Sequence, residues 1–227
     1  MNILALSDTH TMHYYMHEND FLGIDMIIFG GDASNARVPS FNYNEYKEFL
    51  NWFIEIPVKY KILIAGNHDT SVEAKMFDLK NLQSKGIYYL EHELVEIEGI
   101  RIFGSPYTPT FGSWSFMKAP HKLDEYWKEI PDNIHILVTH GPPKGILDLT
   151  EDFNGQLKYC GDKSLLNHVY RVKPLYHIFG HIHNNDICFN KGTRQLVDLK
   201  TIFINASSVT DRKFDLGLTS KGVKFTL

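Results

Sequence analysis

The chain has 227 residues, 43% of them hydrophobic and 22% charged, which is enough for one large domain with a buried core. A net charge of -4, with 23 Lys and Arg against 27 Asp and Glu, excludes a long electrostatic track for nucleic acid but leaves room for a local phosphate site. Two cysteines, Cys160 and Cys188, exclude a disulfide framework and a thiolate zinc cluster, and they read as small hydrophobes in a reducing compartment.

The opening "MNILALSDTH" is a strand pattern with no charged, apolar and cleavable leader before it. No apolar run approaches membrane-span length, so the expectation is a soluble, cytoplasmic protein with no membrane partner. This first strand runs out into Asp8 and His10. "MIIFGG" is a second apolar run that ends in Asp32. Tyr46, Phe49, Leu50, Phe53 and Ile54 at i, i+3, i+4 spacing predict a helix over 43–56. "YKILIAG" then delivers Asn67, His68 and Asp69, and a helix is expected over 71–86, capped by Thr70 or Ser71 and stopped by Gly86.

Two alternating runs around Glu98-Gly99 predict a hairpin over 93–105. Residues 106–121, rich in proline, glycine and aromatics, form the longest stretch without a period, which is typical of a functional loop. "HILVT" ends in His140 and Gly141. A helix over 162–174 is capped by Asp162, and "YHIFG" ends in His181 and His183. Further strands are expected over 193–207 and 215–227. There is no repeat, low-complexity tract or linker, so one domain over 1–227 is the simplest organisation.

Apolar strands alternating with helices imply an α/β fold, in which ligands gather beyond the carboxyl ends of the strands. All five polar clusters fall there. They supply Asp8, His10, Asp32, Asn67, His68, His140, His181 and His183. His181 and His183, two apart in an extended segment, lie on one side at about 6–7 Å spacing, so each could serve a different cation of a close pair. A set of carboxylates, imidazoles and an amide without thiolate suits manganese, iron, zinc, nickel or cobalt rather than calcium. Asp32, central in the set, is the natural bridge. Two divalent ions outweigh two carboxylates and a hydroxide, which favours an anionic, phosphate-like substrate and makes hydroxide available near neutral pH.

The series "SDTH", "GGD", "GNHD", "THGPP" and "GHIH", in that order from residue 7 to 183, resembles the calcineurin-like metallophosphoesterase superfamily. With "FGSPY" and "FINASS", it looks most like a small single-domain phosphodiesterase branch similar to the metallophosphoesterase-domain proteins of animals. The resemblance implies a two-sheet α/β sandwich flanked by helices on both outer faces. It implies that Asp8, His10 and His183 hold one metal, that Asn67, His140 and His181 hold the other, and that Asp32 is shared. His68 would be no ligand but would stabilise the phosphate and protonate the leaving oxygen. Thr11, "GGDASNA" and Asp69 depart from the protein-phosphatase pattern and argue against that activity.

The leading expectation is a two-metal phosphodiesterase, manganese first among the metals, in which a metal-bridging hydroxide attacks a small phosphodiester that could be a cyclic nucleotide. A phosphomonoesterase acting on a nucleotide or metabolite, and a non-catalytic scaffold of the same fold, are the alternatives. Asp69 could orient His68 or cap the helix that follows. Tyr107, Phe111, Trp114 and Phe116 could stack a base or simply pack the loop, and Arg37 could reach a phosphate. The histidines outside the motifs are assigned to surface or core, with His13 and His121 the two that could overhang the site.

Overall fold

A computed structural model describes residues 1–152, 154–212 and 215–227. In chain order the first strands are β1 (Asn2–Leu6), β2 (Met26–Phe29), β3 (Tyr60–Leu63) and β4 (Ile87–Tyr89). The hairpin β5 (Glu93–Ile97) and β6 (Ile100–Ser105) follows, then the short pair β7 (Thr108–Pro109) and β8 (Met117–Lys118). Next come β9 (Ile136–Thr139), the hairpin β10 (Leu149–Glu151) and β11 (Leu157–Tyr159), and β12 (Tyr176–Phe179). The chain closes with β13 (Gly192–Leu196), β14 (Leu199–Asn205), β15 (Val209–Arg212), β16 (Asp215–Leu218) and β17 (Val223–Thr226). The helices are α1 (Pro39–Glu55), α2 (Thr70–Glu73), α3 (Pro120–Lys128) and α4 (Lys163–Val172).

Two sheets dominate, in orders β17-β1-β2-β3-β4 and β13-β14-β12-β9-β6-β5. β1 to β4 pair in parallel, as do β6, β9, β12 and β14, and antiparallel β17, β13 and β5 close every edge but that of β4. Each central strand is apolar on both faces because each face has its own layer to meet. Ile3, Ala5, Ile28, Ile62, Ile136, Val138 and Ile178 fill the space between the sheets. Leu4, Leu6, Phe29 and Leu63 point the other way, onto Tyr46, Phe49 and Phe53 of α1. Leu137 and Phe179 likewise meet Leu123 and Trp127 of α3 and Leu165 and Val169 of α4. The expected sandwich with helices on both outer faces is what these residues build. Among the described residues, no helix is long and apolar enough to cross a membrane.

Glu98 and Gly99 both take positive φ (49° and 79°), as a two-residue primed hairpin turn requires. Asp162 caps α4 by accepting from Ser164 N. The helix expected over 71–86 breaks after one turn: Lys75 turns left-handed and the chain resumes as a 3-10 helix over Leu79–Lys85 before Gly86. Tertiary contact overrides propensity here: Phe77, just past the break, stacks on Tyr43 of α1 with centroids 4.7 Å apart. The stretch 106–121 holds β7 and β8 and the start of α3. Pro120 at the first position followed by Leu123 and Trp127 was a helix signal the sequence reading passed over.

Candidate metal centre

The parallel strands of both sheets point their carboxyl ends to one edge, where Asp8, His10, Asp32, Asn67, His68, His140, His181 and His183 meet. Ligand atoms of Asp8, His10 and His183 lie within 4.8 Å of one another, and so do those of Asp32, His140 and His181. A third group at the same spacing, His10, Asp32 and His68, joins the two. Asn67 presents Oδ1 to His140 Nε2 at 3.0 Å.

The local backbone is bent to achieve this. Asp8, His10, Asp32 and His181 all have positive φ, between 42° and 68°, a conformation that non-glycine residues hold only when their surroundings over-determine it. Those surroundings are visible. Asp8 N donates to Gly31 O and His10 N to Asp32 O, while His181 N donates to both Asp8 carboxylate oxygens at 3.0 Å. Close approach also demands glycine at two places. A Cβ at Gly66 would run into Asp32 Oδ1 and His140 Cε1, and one at Gly180 into Asp8 Oδ2 and Ser7 Oγ.

Asp69 does neither job considered for it. Its buried carboxylate accepts from the backbone N–H groups of Asp32, Ala33, Ser34 and Gly66 and from Ser34 Oγ, tying the β2 and β3 loops together. Burial, with the Asp32 charge, pushes its carboxyl up to about 6 against these donors. His68 is held instead by a backbone carbonyl: its Nδ1–H faces Asn35 O at 3.3 Å. Because a carbonyl only accepts, Nδ1 carries the proton and Nε2 is the nitrogen free to exchange one.

Donor chemistry tests whether cations fit. His140 Nδ1–H donates to Gly30 O at 2.8 Å, so the lone pair of the neutral ring is on Nε2. That lone pair faces Asn67 Oδ1 at 3.0 Å and Asp32 Oδ2 at 3.2 Å, both acceptors. His183 repeats the pattern. Its Nδ1–H donates to Asp211 Oδ1 at 2.9 Å, which turns Nε2 toward Asp8 Oδ1 and His10 Nε2, each at 3.3 Å. Acceptors converging in a buried place need a positive charge among them, either protons or metal ions. Burial opposes charging these rings, yet Asp32 raises His140 to about 9, and Asp211 and Asp8 raise His183 to about 10. Burial alone would raise Asp32 and Asp8, but the facing imidazoles hold both below the usual carboxylate range. Burial holds His10 down at about 4 and His181 at about 3, the neutral state a ligand needs. The donor set therefore fits divalent cations.

Beyond the motifs, the sequence reading missed Asp211, which sits 28 residues from His183 on a polar strand and carried no signal. His13 does not overhang the site: it is buried against Phe49 and Trp52. His121 is exposed on α3. Phe111 lies 5.1 Å from the His181 ring, and Trp114 stacks on His68 at 4.2 Å. Arg37 packs its guanidinium over that same Trp114 ring rather than facing the carboxylates.

Comparison with known proteins agrees with this geometry. The family model described as calcineurin-like phosphoesterase matches residues 1–185. Metallophosphoesterase domain-containing protein 1 of Homo sapiens is 35% identical over 210 residues, covering 82% of this chain. The chain spans 60% of that relative's length. A UPF0046 protein of Caenorhabditis elegans is 30% identical over 220 residues, covering 91% of this chain and 69% of the relative. Two solved structures share the fold at low identity. TT1561 of Thermus thermophilus has a TM-score of 0.60 at 13% identity, with 91% and 88% of the two chains covered. Phosphopantetheinyl hydrolase of Mycobacterium tuberculosis has a TM-score of 0.54 at 14% identity, with the same coverage. The chain belongs to the calcineurin-like phosphoesterase family.

Proposed function

We propose that the chain hydrolyses small phosphodiesters with two divalent cations, manganese first among them. Asp8, His10 and His183 would hold one cation, Asn67, His140 and His181 the other, with Asp32 shared. The cations, when bound, supply Lewis acidity toward a phosphoryl oxygen and acidify the attacking water. The chain's own groups do the rest. Gly30 O and the Asp211 carboxylate fix the tautomers of His140 and His183, so both rings present Nε2 inward. Asp69 holds the two loops that carry Asp32 and His68 in register. His68, with its Nδ1 proton kept by Asn35 O, would contact the phosphoryl group and pass a proton from Nε2 to the departing oxygen.

The observation that favours a diester over a monoester is a cavity of about 580 Å³ beside His181. Pro109, Phe111, Pro142 and Ile182 make much of its wall, and Glu151 and Lys158 stand on the β10–β11 hairpin at its rim. A phosphomonoester has a single organic substituent, while a second one needs a lined, apolar place of this kind.

The test compares metal-stripped protein, reconstituted with manganese, on bis(p-nitrophenyl) phosphate and on p-nitrophenyl phosphate. Manganese-dependent cleavage with a higher kcat/KM for the diester is expected. His68→Ala should lower kcat by about 10²–10⁴-fold, the range of a positioned acid–base group. A preference for the monoester overturns the diester reading, and two bound metals without hydrolysis overturn catalysis.

A further inference from the structure

His68 has an unusual mooring for a group on which proton transfer depends. Its only side-chain hydrogen bond among the described residues is the long one from Nδ1 to Asn35 O, at 3.3 Å. One such bond leaves the ring free to swing about the direction of that bond. On one side the edge of His10 meets it, centroids 4.7 Å apart and planes at 90°. On another, the Trp114 indole lies at 4.2 Å with the planes only 33° apart. The Arg37 guanidinium also lies over the indole, 4.2 Å from the ring centroid. The imidazole and the guanidinium both pack against the indole.

The loop that carries Trp114 is fastened to the segment that carries His68. Ser115 N donates to Asn67 O at 3.1 Å, one residue before His68, and Phe116 N donates to Glu73 Oε1 at 2.8 Å, in the turn after it. Phe116, buried and left-handed (φ 54°), anchors the loop in the core under α1. The backbone just after Trp114 is thus tied to the chain on either side of His68, to Asn67 before it and to Glu73 after it.

We infer that Trp114 is a positioning residue. Its indole, clamped by Arg37, holds the His68 ring in the orientation that aims Nε2 at the departing oxygen. The inference rests on the proton-donor role proposed for His68. It concerns the part of the barrier that depends on how much proton the leaving oxygen needs, so leaving-group dependence is its readout. A weakly basic leaving group such as p-nitrophenolate needs little help, whereas an alkoxide needs a proton in place as the bond breaks.

The experiment uses the manganese-loaded full chain and two methyl phosphodiesters, one with a p-nitrophenyl and one with a benzyl second ester. Trp114→Phe keeps a flat face, and Trp114→Leu keeps bulk without one, so the loop stays packed even where Trp114→Ala does not fold. Trp114→Leu is expected to lower kcat on the benzyl ester by about tenfold more than on the p-nitrophenyl ester, with KM within about threefold, a fraction of what a whole acid–base group gives. Trp114→Phe should stay within about threefold of the native kcat on both, because a ring of that size still stacks. Equal losses on the two esters, or a change confined to KM, would overturn the proposal while leaving His68 in place, provided His68→Ala itself discriminates between the esters. If His68→Ala shows no leaving-group dependence, the proton-donor reading falls and takes this inference with it.

Discussion

The two halves of the candidate centre each combine two histidines with an oxygen donor, Asp8 in one and Asn67 in the other, but are held to different degrees. In the half around His140, the ring is fully buried and its Nδ1–H is taken by the carbonyl of Gly30, part of the loop that also carries Asp32. In the half around His183, the corresponding proton is taken by Asp211, a carboxylate 58% exposed on β15, outside the two main sheets. A backbone carbonyl at a strand end cannot move without the sheet, whereas an exposed side chain keeps its rotamer freedom and its hydration. The first arrangement is a property of the fold, and the second is an attachment that can be removed on its own.

Removing a ring from the buried half gives the largest expected effect. His140→Ala deletes a donor and leaves Asp32 and Asn67 facing a void, so manganese measured by elemental analysis should fall from two to one per chain. Diester kcat should drop by at least about 10²-fold, as when a clamp on both oxygens of a displacement is halved. Two metals retained at full occupancy in His140→Ala would break the assignment of that half. Asp211→Asn is milder. It keeps the shape but loses the charge that orients His183, and manganese affinity at one of the two sites should weaken by about 10–100-fold, the usual effect of an outer partner. Equilibrium titration should then show the affinity of one site falling while that of the other holds, and parallel weakening of both sites would erase the distinction between the halves.

A smaller effect is expected at the cavity. Phe111→Ala should raise KM for a bis-aryl phosphate by about fivefold, the scale of one aromatic contact, while methyl p-nitrophenyl phosphate changes little. A uniform change on both substrates would show that the ring packs the loop and contacts no substituent.

The contrast between the halves also marks what the sequence could disclose. Apolar runs ending in Asp8, Asp32, Asn67, His140 and His181 were legible because strand periodicity and strand-end chemistry are both local patterns, and the order of the motifs carried the fold with them. Asp211 was not legible, since its role depends on β15 pairing with β16 and on an isolated bridge that brings Thr210 to Asn184, neither of which leaves a trace near His183. Trp114 was named only as one aromatic among four, because nothing in "TFGSWSFMKAP" says that Ser115 will fasten to Asn67. Asp69 was weighed for two local jobs and does a third, long-range one, and five converging donors cannot be inferred from its neighbours in the chain. The failed helix over 71–86 has the same origin: Phe77 obeys a partner 34 positions earlier, Tyr43, and not its own turn.

The smallest effect separates His140 and His183, raised by facing carboxylates, from the histidines that burial keeps neutral, His10 and His181 in the site and His13 and His177 in the core. Burial lowers His13 to about 4 and His177 to about 3, and each has a buried Nδ1 without a partner among the described residues. The folded chain resists protons that the unfolded chain accepts once the pH drops below about 6.5, the ordinary histidine value. Each ring therefore lends stability that is complete above about 6.5 and declines by about 1.4 kcal/mol per pH unit at most as the pH falls, His13 levelling off near 4 and His177 near 3. In metal-free protein His140 and His183 have the opposite sign: their raised values add a constant below about 6.5, which is lost only as the pH rises toward about 9 and about 10. Urea titrations of metal-free protein should accordingly show stability falling from about pH 6.5 to about 4, with a slope that His13→Phe reduces by about 1 kcal/mol per pH unit. An unchanged acid slope in that variant, with the alkaline limb intact, would mean that His13 is hydrated in the folded chain and that the wall of Phe49 and Trp52 around it opens in solution.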